Sequence, residues 1–132
     1  MPAALSGIGV DIISLRRAGQ FLQAHRKTIS ERFCHPSEKK FFSRKNISKL
    51  LFSKLFTAKE AFFKALGGSW MGIEGFRKLK VKILPHDLFW VSSEEAGREA
   101  RGVFFRDQNF VGAQVILWER PQSLVFGLQS SV

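Results

Sequence analysis

Phe56-Thr57-Ala58-Lys59-Glu60-Ala61-Phe62-Phe63-Lys64-Ala65-Leu66-Gly67 sets one carboxylate among lysines on an otherwise apolar run. Read backwards, Leu51, Phe52, Leu55 and Phe56 join Phe62, Phe63 and Leu66 in a wide apolar face. That spacing predicts a long helix from about Ser48 to Leu66. Gly67-Gly68 supplies its stop, because glycine takes the left-handed backbone that ends helices at little steric cost. Glu60 and Lys64 stand four residues apart and so share one side of the helix. By spacing alone they read as an ordinary surface ion pair.

A second lone acid stands in Gly7-Ile8-Gly9-Val10-Asp11-Ile12. Ile8, Val10 and Ile12 alternate with Gly7, Gly9 and Asp11, which predicts a short strand with little bulk on one face. Its glycines would admit another backbone or a ligand at close range. Asp11 alone reads as a strand-end or capping acid, and no spacing rule brings it to Glu60. Two separated acids and a positioned lysine, if they met, could hold a divalent metal against a phosphate.

Working outward, Leu15, Ala18, Phe21 and Leu22 fall at helical spacing, with Arg16, Arg17, Arg26 and Lys27 on the remaining surface. Pro36 suits a first helical turn, and a short helix is expected from Glu38 to Phe42. Arg44-Lys45-Asn46 reads as a basic connection. Leu79, Val81 and Ile83 alternate with lysines in a half-buried strand that Pro85 ends, and Phe89-Trp90-Val91 makes another. Ser92 and Glu95 match a capping box, which predicts a helix through about Ala100. Val103 to Phe105 and Val111 to Trp118 read as a hairpin around Arg106-Asp107-Gln108-Asn109. Mixed element order with antiparallel pairing predicts an α+β fold. One domain is expected over residues 1–120, followed by a Ser- and Gln-containing tail over 121–132 that reads as loose.

The chain has 132 residues, 45% of them hydrophobic, with 14 Phe and no Tyr, which suits one globular domain with a modest core. The single cysteine, Cys34, excludes an intramolecular disulfide framework and argues against a zinc cluster, so a cytoplasmic setting is expected. No apolar run approaches the roughly 20 residues of a membrane span. No basic flank leads into an apolar signal core, so no secretion signal is expected. A net charge of +10 attracts anions but cannot choose among nucleic acid, phosphorylated ligands, lipid and acidic protein. A nucleic-acid partner is disfavoured, because the aromatics sit in apolar stretches rather than along an exposed basic groove. His25, His35 and His86 show no ligand spacing and read as surface or turn residues. Trp70, Trp90 and Trp118 read as core or interface residues.

Taken together, the Gly7–Ile12 and Phe56–Gly67 blocks resemble the two signatures of the 4'-phosphopantetheinyl transferases, most closely the small holo-acyl-carrier-protein synthase type. Order, separation and length fit over almost the whole chain. The resemblance implies the family fold, a small antiparallel sheet packed on a long helix. It implies transfer of the 4'-phosphopantetheine arm of coenzyme A to a serine of an acyl carrier protein, with release of adenosine 3',5'-bisphosphate. By matched position, Asp11 and Glu60 would ligate Mg²⁺, and Lys64 would approach the coenzyme A phosphates. Lys59 would support phosphate binding or orient Glu60, and Lys54 and Gly67 are further candidates for contact with coenzyme A. Arg17, helped by Arg16, would dock the acidic carrier. The resemblance also implies a homotrimer with sites between subunits.

The chain departs from the family pattern at three places, the last being the Gly-Lys-Pro-like turn, where Leu84-Pro85-His86 stands instead. The arginine usual before the aromatic at Phe56 is Leu55, with Lys54 beside it. The usual Val-Ser-x-Ser-His-like strand is replaced by Val103-Phe104-Phe105-Arg106-Asp107. The second departure motivates an alternative, a degenerate relative that binds carrier protein or coenzyme A without turnover.

Overall fold

Alternation and helical periodicity divide the chain into a sheet and one helix that crosses it. The computed structural model describes residues 4–42, 48–67 and 73–119. Strand β1 (Leu5–Ser14) leads directly into α1 (Leu15–Thr28), whose start is capped by Ser14 Oγ accepting from the Arg17 amide at 3.0 Å. A π-helical turn (Ile29–Phe33), a 3-10 turn (Pro36–Glu38) and the short α2 (Lys39–Phe42) follow. Helix α3 (Lys49–Ala65) begins at the Ser48 cap, where Ser48 Oγ accepts from the Leu51 amide at 2.9 Å. Then come α4 (Ile73–Arg77), β2 (Leu79–Ile83), β3 (Leu88–Ser93), β4 (Arg98–Arg106) and β5 (Phe110–Trp118). The fold is α+β, as the residue pattern predicts. The basic connection at Arg44-Lys45-Asn46, together with Gly68, Trp70 and the tail over 121–132, lies outside the described residues. Among the described residues, no helix is long and apolar enough to cross a membrane.

All strand pairs are antiparallel, in the order β1-β5-β4-β3-β2. Helix α3 crosses the inner face. Its buried Phe52, Phe62 and Ala58 meet Phe89, Val91 and Val115 from the sheet in one apolar core. The helix lies unusually close to β1, because small residues face each other there. A Cβ at Gly7 or Gly9 would overlap the carbonyl oxygens of Ala65 and Ala61. Only glycine permits that approach. Strand β1 therefore buries its glycine side and turns its bulky side outward. Ile8, Val10 and Ile12 remain about half exposed, beside Phe105, Ile116 and Trp118 on the same outer surface.

One sequence expectation fails. Residues 92–100 form no helix. Ser92 and Ser93 pair with Glu99 and Arg98 as the closing rungs of a β3–β4 hairpin. The turn between them is tied by the Gly97 amide donating to the Glu94 carbonyl at 3.1 Å, and Gly97 adopts a left-handed φ of 61°. The Ser93 hydroxyl, not that of Ser92, accepts from the Ala96 amide at 3.1 Å. A Ser-x-x-Glu spacing has little force when residues on both sides gain a full ladder with neighbouring strands. At the β2–β3 turn, His86 and Asp87 carry φ values of 62° and 59°. A tight hairpin needs this left-handed pair because it matches the twist of the strands.

Candidate active site

Close packing of α3 on β1 decides where the charged residues meet. Asp11 follows Gly9 on the buried side of β1, next to the last turns of α3. Lys64 Nζ donates to Asp11 Oδ1 at 3.0 Å and to the Val10 carbonyl at 3.0 Å. The Asp11 side chain is only 15% exposed, while that of Lys64 is 50% exposed. Asp11 Oδ2 is buried and has no hydrogen-bond partner among the described residues. Such an orphaned oxygen is costly unless something else engages it. Glu60, one helical turn before Lys64, is half-buried beside them. Burial first, and then the Asp11 charge, hold the Glu60 carboxyl above its ordinary value, and the Lys64 ammonium offsets part of that rise.

The structure therefore brings Asp11, Glu60 and Lys64 together from two distant segments. Two carboxylates that repel, one with an unmet oxygen, make a donor set for a hard cation. Among the described residues, no group of three or more His, Cys, Asp or Glu side chains assembles. A fully protein-built metal cage is thus absent there. Two carboxylates do fit Mg²⁺, which keeps several waters and shares its remaining positions with substrate phosphates.

Lys59, expected to support phosphate binding or to orient Glu60, instead turns its ammonium away from this cluster. Its side chain is completely buried on another side of α3. The ammonium donates to Glu38 Oε1 at 2.6 Å, to the Phe33 carbonyl at 3.0 Å and to the Phe76 carbonyl at 3.1 Å. It also lies 4.6 Å from the centre of the Phe33 ring. Glu38 in turn accepts from the His35 amide through Oε1 at 3.1 Å and from the Val81 amide through Oε2 at 2.8 Å. Burial lowers the proton affinity of Lys59, and Glu38 works against that change. The pair joins α3 to the Ile29–Glu38 turns, α4 and the outer edge of β2. Glu38 is the residue that sequence reasoning missed.

Lys54 points toward the β2–β3 turn. Its ammonium lies 3.8 Å from Asp87 Oδ1 and 5.3 Å from the centre of the Phe104 ring. Leu55 is in the core at 1% exposure, so the residue at the family's arginine position faces inward here. Gly67 takes a φ of 113° just past α3, and among the described residues nothing lies within 4 Å of where a Cβ would stand. Val103–Arg106 form the end of β4, with only Phe104 buried. The Asp107 carboxylate is used in the turn, accepting from the Asn109 and Phe110 amides at 2.7 and 2.8 Å. Arg16 and Arg17 are exposed on the first turn of α1. Arg16 lines a groove with Gly19, Lys49, Asn109 and Phe110, between α1 and the β4–β5 turn. Cys34 is buried, and burial raises its thiol to about 12, so it is chemically inert at neutral pH.

A five-stranded antiparallel sheet crossed by one long helix, with an acid from each beside a lysine, defines an α+β protein with a compact cluster of two acids and a lysine. The chain belongs to the 4'-phosphopantetheinyl transferase superfamily, whose family model matches residues 7–116. It is 36% identical over 76 residues to a holo-[acyl-carrier-protein] synthase of Ruthia magnifica, covering 58% of this chain and 60% of that protein. It is 38% identical over 82 residues to the synthase of Clostridium perfringens strain 13, covering 62% and 59%. The matched segment thus spans about 60% of these curated relatives' length. Among solved structures, a holo-(acyl-carrier-protein) synthase from Bacillus anthracis in complex with CoA (3',5'-ADP) superposes with a TM-score of 0.71 at 25% identity, covering 90% of this chain and 100% of that one. The Helicobacter pylori synthase in complex with coenzyme A gives 0.66 at 25% identity, covering 83% and 98%.

Proposed function

We propose that the protein transfers the 4'-phosphopantetheine arm of coenzyme A to a serine of an apo acyl carrier protein. The serine oxygen forms a bond to the phosphorus that carries the pantetheine. The phosphoanhydride bond breaks, and adenosine 3',5'-bisphosphate leaves. The observation that carries this reading is the meeting of Asp11, Glu60 and Lys64, with Asp11 Oδ2 left unpartnered. Asp11 and Glu60 would hold Mg²⁺, which supplies charge stabilisation at the pyrophosphate when bound. Lys64 sets a positive charge at the phosphates from a half-exposed position. Glu60 is also the candidate acceptor for the serine proton. Arg17 and Arg16 offer an acidic carrier a positive docking edge on α1. Lys54, in the second turn of α3, and Gly67, just past its end, are candidate contacts for the rest of coenzyme A.

The exposed outer sheet surface favours assembly. Ile8, Val10, Ile12, Phe105, Ile116 and Trp118 together form an apolar face of the kind that soluble monomers seldom leave open. A homotrimer that covers this face, with sites between subunits, follows from the family resemblance. Sedimentation equilibrium should give three chains per particle at micromolar concentration. A monomer under those conditions would contradict the assembly. A cytoplasmic setting and a role in fatty-acid biosynthesis belong to the same reading.

The direct test incubates the full chain with Mg²⁺, coenzyme A and an apo carrier protein, then weighs the carrier. The expected result is a mass gain equal to the phosphopantetheine arm. No gain across several carriers, with carrier binding retained, would instead assign the binding-only relative that the Val103–Asp107 departure favours.

A further inference from the structure

We infer that Lys64 is a tethered counter-ion. Without ligands it neutralises Asp11, and its charge opposes a divalent cation at that carboxylate until an anion draws it away, so that cation and pyrophosphate strengthen each other's binding. The inference rests on the metal reading above and concerns how that site is filled. Three observations carry it.

First, Lys64 Nζ holds Asp11 Oδ1 at 3.0 Å and the Val10 carbonyl at 3.0 Å, so the ammonium occupies one side of the acid. A divalent cation at its usual ~2.1 Å from a carboxylate oxygen would stand beside that charge and be repelled by it. Second, among the described residues Asp11 Oδ2 is buried and unpartnered, so Lys64 engages one arm of the acid and leaves the other to a cation that would stand close to the ammonium. Third, the Lys64 side chain is 50% exposed, so it can swing away without disturbing the core. Its release costs two hydrogen bonds in the unloaded protein. An arriving pyrophosphate returns that interaction by giving the ammonium a new anionic partner. Cation and anion therefore strengthen each other's binding through one movable side chain, and the coupling is reciprocal by thermodynamic necessity.

The test uses Mn²⁺ alone as the probe, read by the paramagnetic signal of the free ion. It is done at pH 8 on the wild-type chain, Lys64→Gln and Lys64→Arg. Lys64→Gln should bind Mn²⁺ about tenfold more tightly than wild type. That is the order expected for removing one positive charge a few ångströms from the ion in a partly wet site. Lys64→Arg, which keeps the charge, should stay near wild type. Adding Asp11→Asn to Lys64→Gln should abolish the gain. Equal or weaker binding by Lys64→Gln, with Asp11→Asn still abolishing binding, would overturn the counter-ion and leave the metal site standing. No Mn²⁺ binding at millimolar concentration by wild type or Lys64→Gln would overturn both. The measurement needs no turnover, so loss of transfer in the variants cannot blur it.

Discussion

Glu60→Gln is expected to lower phosphopantetheine transfer by about 10³-fold while making the metal-free protein more stable at neutral pH. The first effect follows from losing one of two carboxylates around a cation that is worth several kcal/mol of transition-state stabilisation. Asp11→Asn should cause a loss of the same order. The second effect follows from the raised proton affinity of Glu60, caused by burial and by the Asp11 charge. A carboxyl that holds its proton more tightly when folded makes the folded state bind more protons than the unfolded one. Stability is therefore lost as pH rises from the ordinary value of 4.5 through the raised one, and the deficit persists above it. Glutamine never ionises, so the variant escapes that loss. Thermal melts in a chelator should show the wild-type curve falling relative to Glu60→Gln as pH climbs through this window. Full transfer activity in either variant would contradict the metal assignment. A Glu60→Gln protein that melts lower at pH 7 would contradict the electrostatic account.

Lys59→Met is expected to cost about 3–5 kcal/mol of folding stability, because it strands a buried carboxylate. Glu38 would keep its bonds from the His35 and Val81 amides but lose its ion-pair partner, in a site where both side chains are essentially closed to water. Domains of this size have about 5–15 kcal/mol in total, so the single variant should lie close to unfolding. Adding Glu38→Gln should recover part of the loss. The amide still accepts from Val81 but carries no unmatched charge. Urea titrations of the two proteins and the wild type measure this directly. A Lys59→Met protein as stable as wild type would show that the pair does not hold these segments together. The charge pair does not itself imply great stability, since isosteric apolar packing often does as well. Its structural effect is to tie four segments of chain at one point.

The contrast between Lys59 and Glu60 shows what the sequence could reveal. Leu55, Phe56, Phe62 and Phe63 stand three and four residues to either side of Lys59. A lysine framed this way on a helix is surrounded by apolar neighbours and needs a buried acid. That signal was present, although the partner was not readable, since Glu38 lies 21 residues away across an irregular segment. The helix itself, and the strands at Leu79–Ile83 and Val111–Trp118, follow directly from their periodicity. The error at residues 92–100 came from a local capping pattern overruled by non-local strand pairing. Asp11 and Lys64, 53 residues apart, could be associated only through the family resemblance. Physically, their contact depends on Gly7 and Gly9 letting β1 lie against the backbone of Ala61 and Ala65.

Strand order has a consequence for biosynthesis. The strand carrying Asp11 pairs with β5 alone, from Leu5 opposite Trp118 to Ser14 opposite Phe110. A polypeptide still attached to its ribosome can wind the central helix early, since helices form from local contacts. It cannot lock β1 until β5 has left the exit tunnel. The cluster around Asp11 is therefore completed only after β5 has emerged, and a nascent chain cut before Phe110 would lack a finished site.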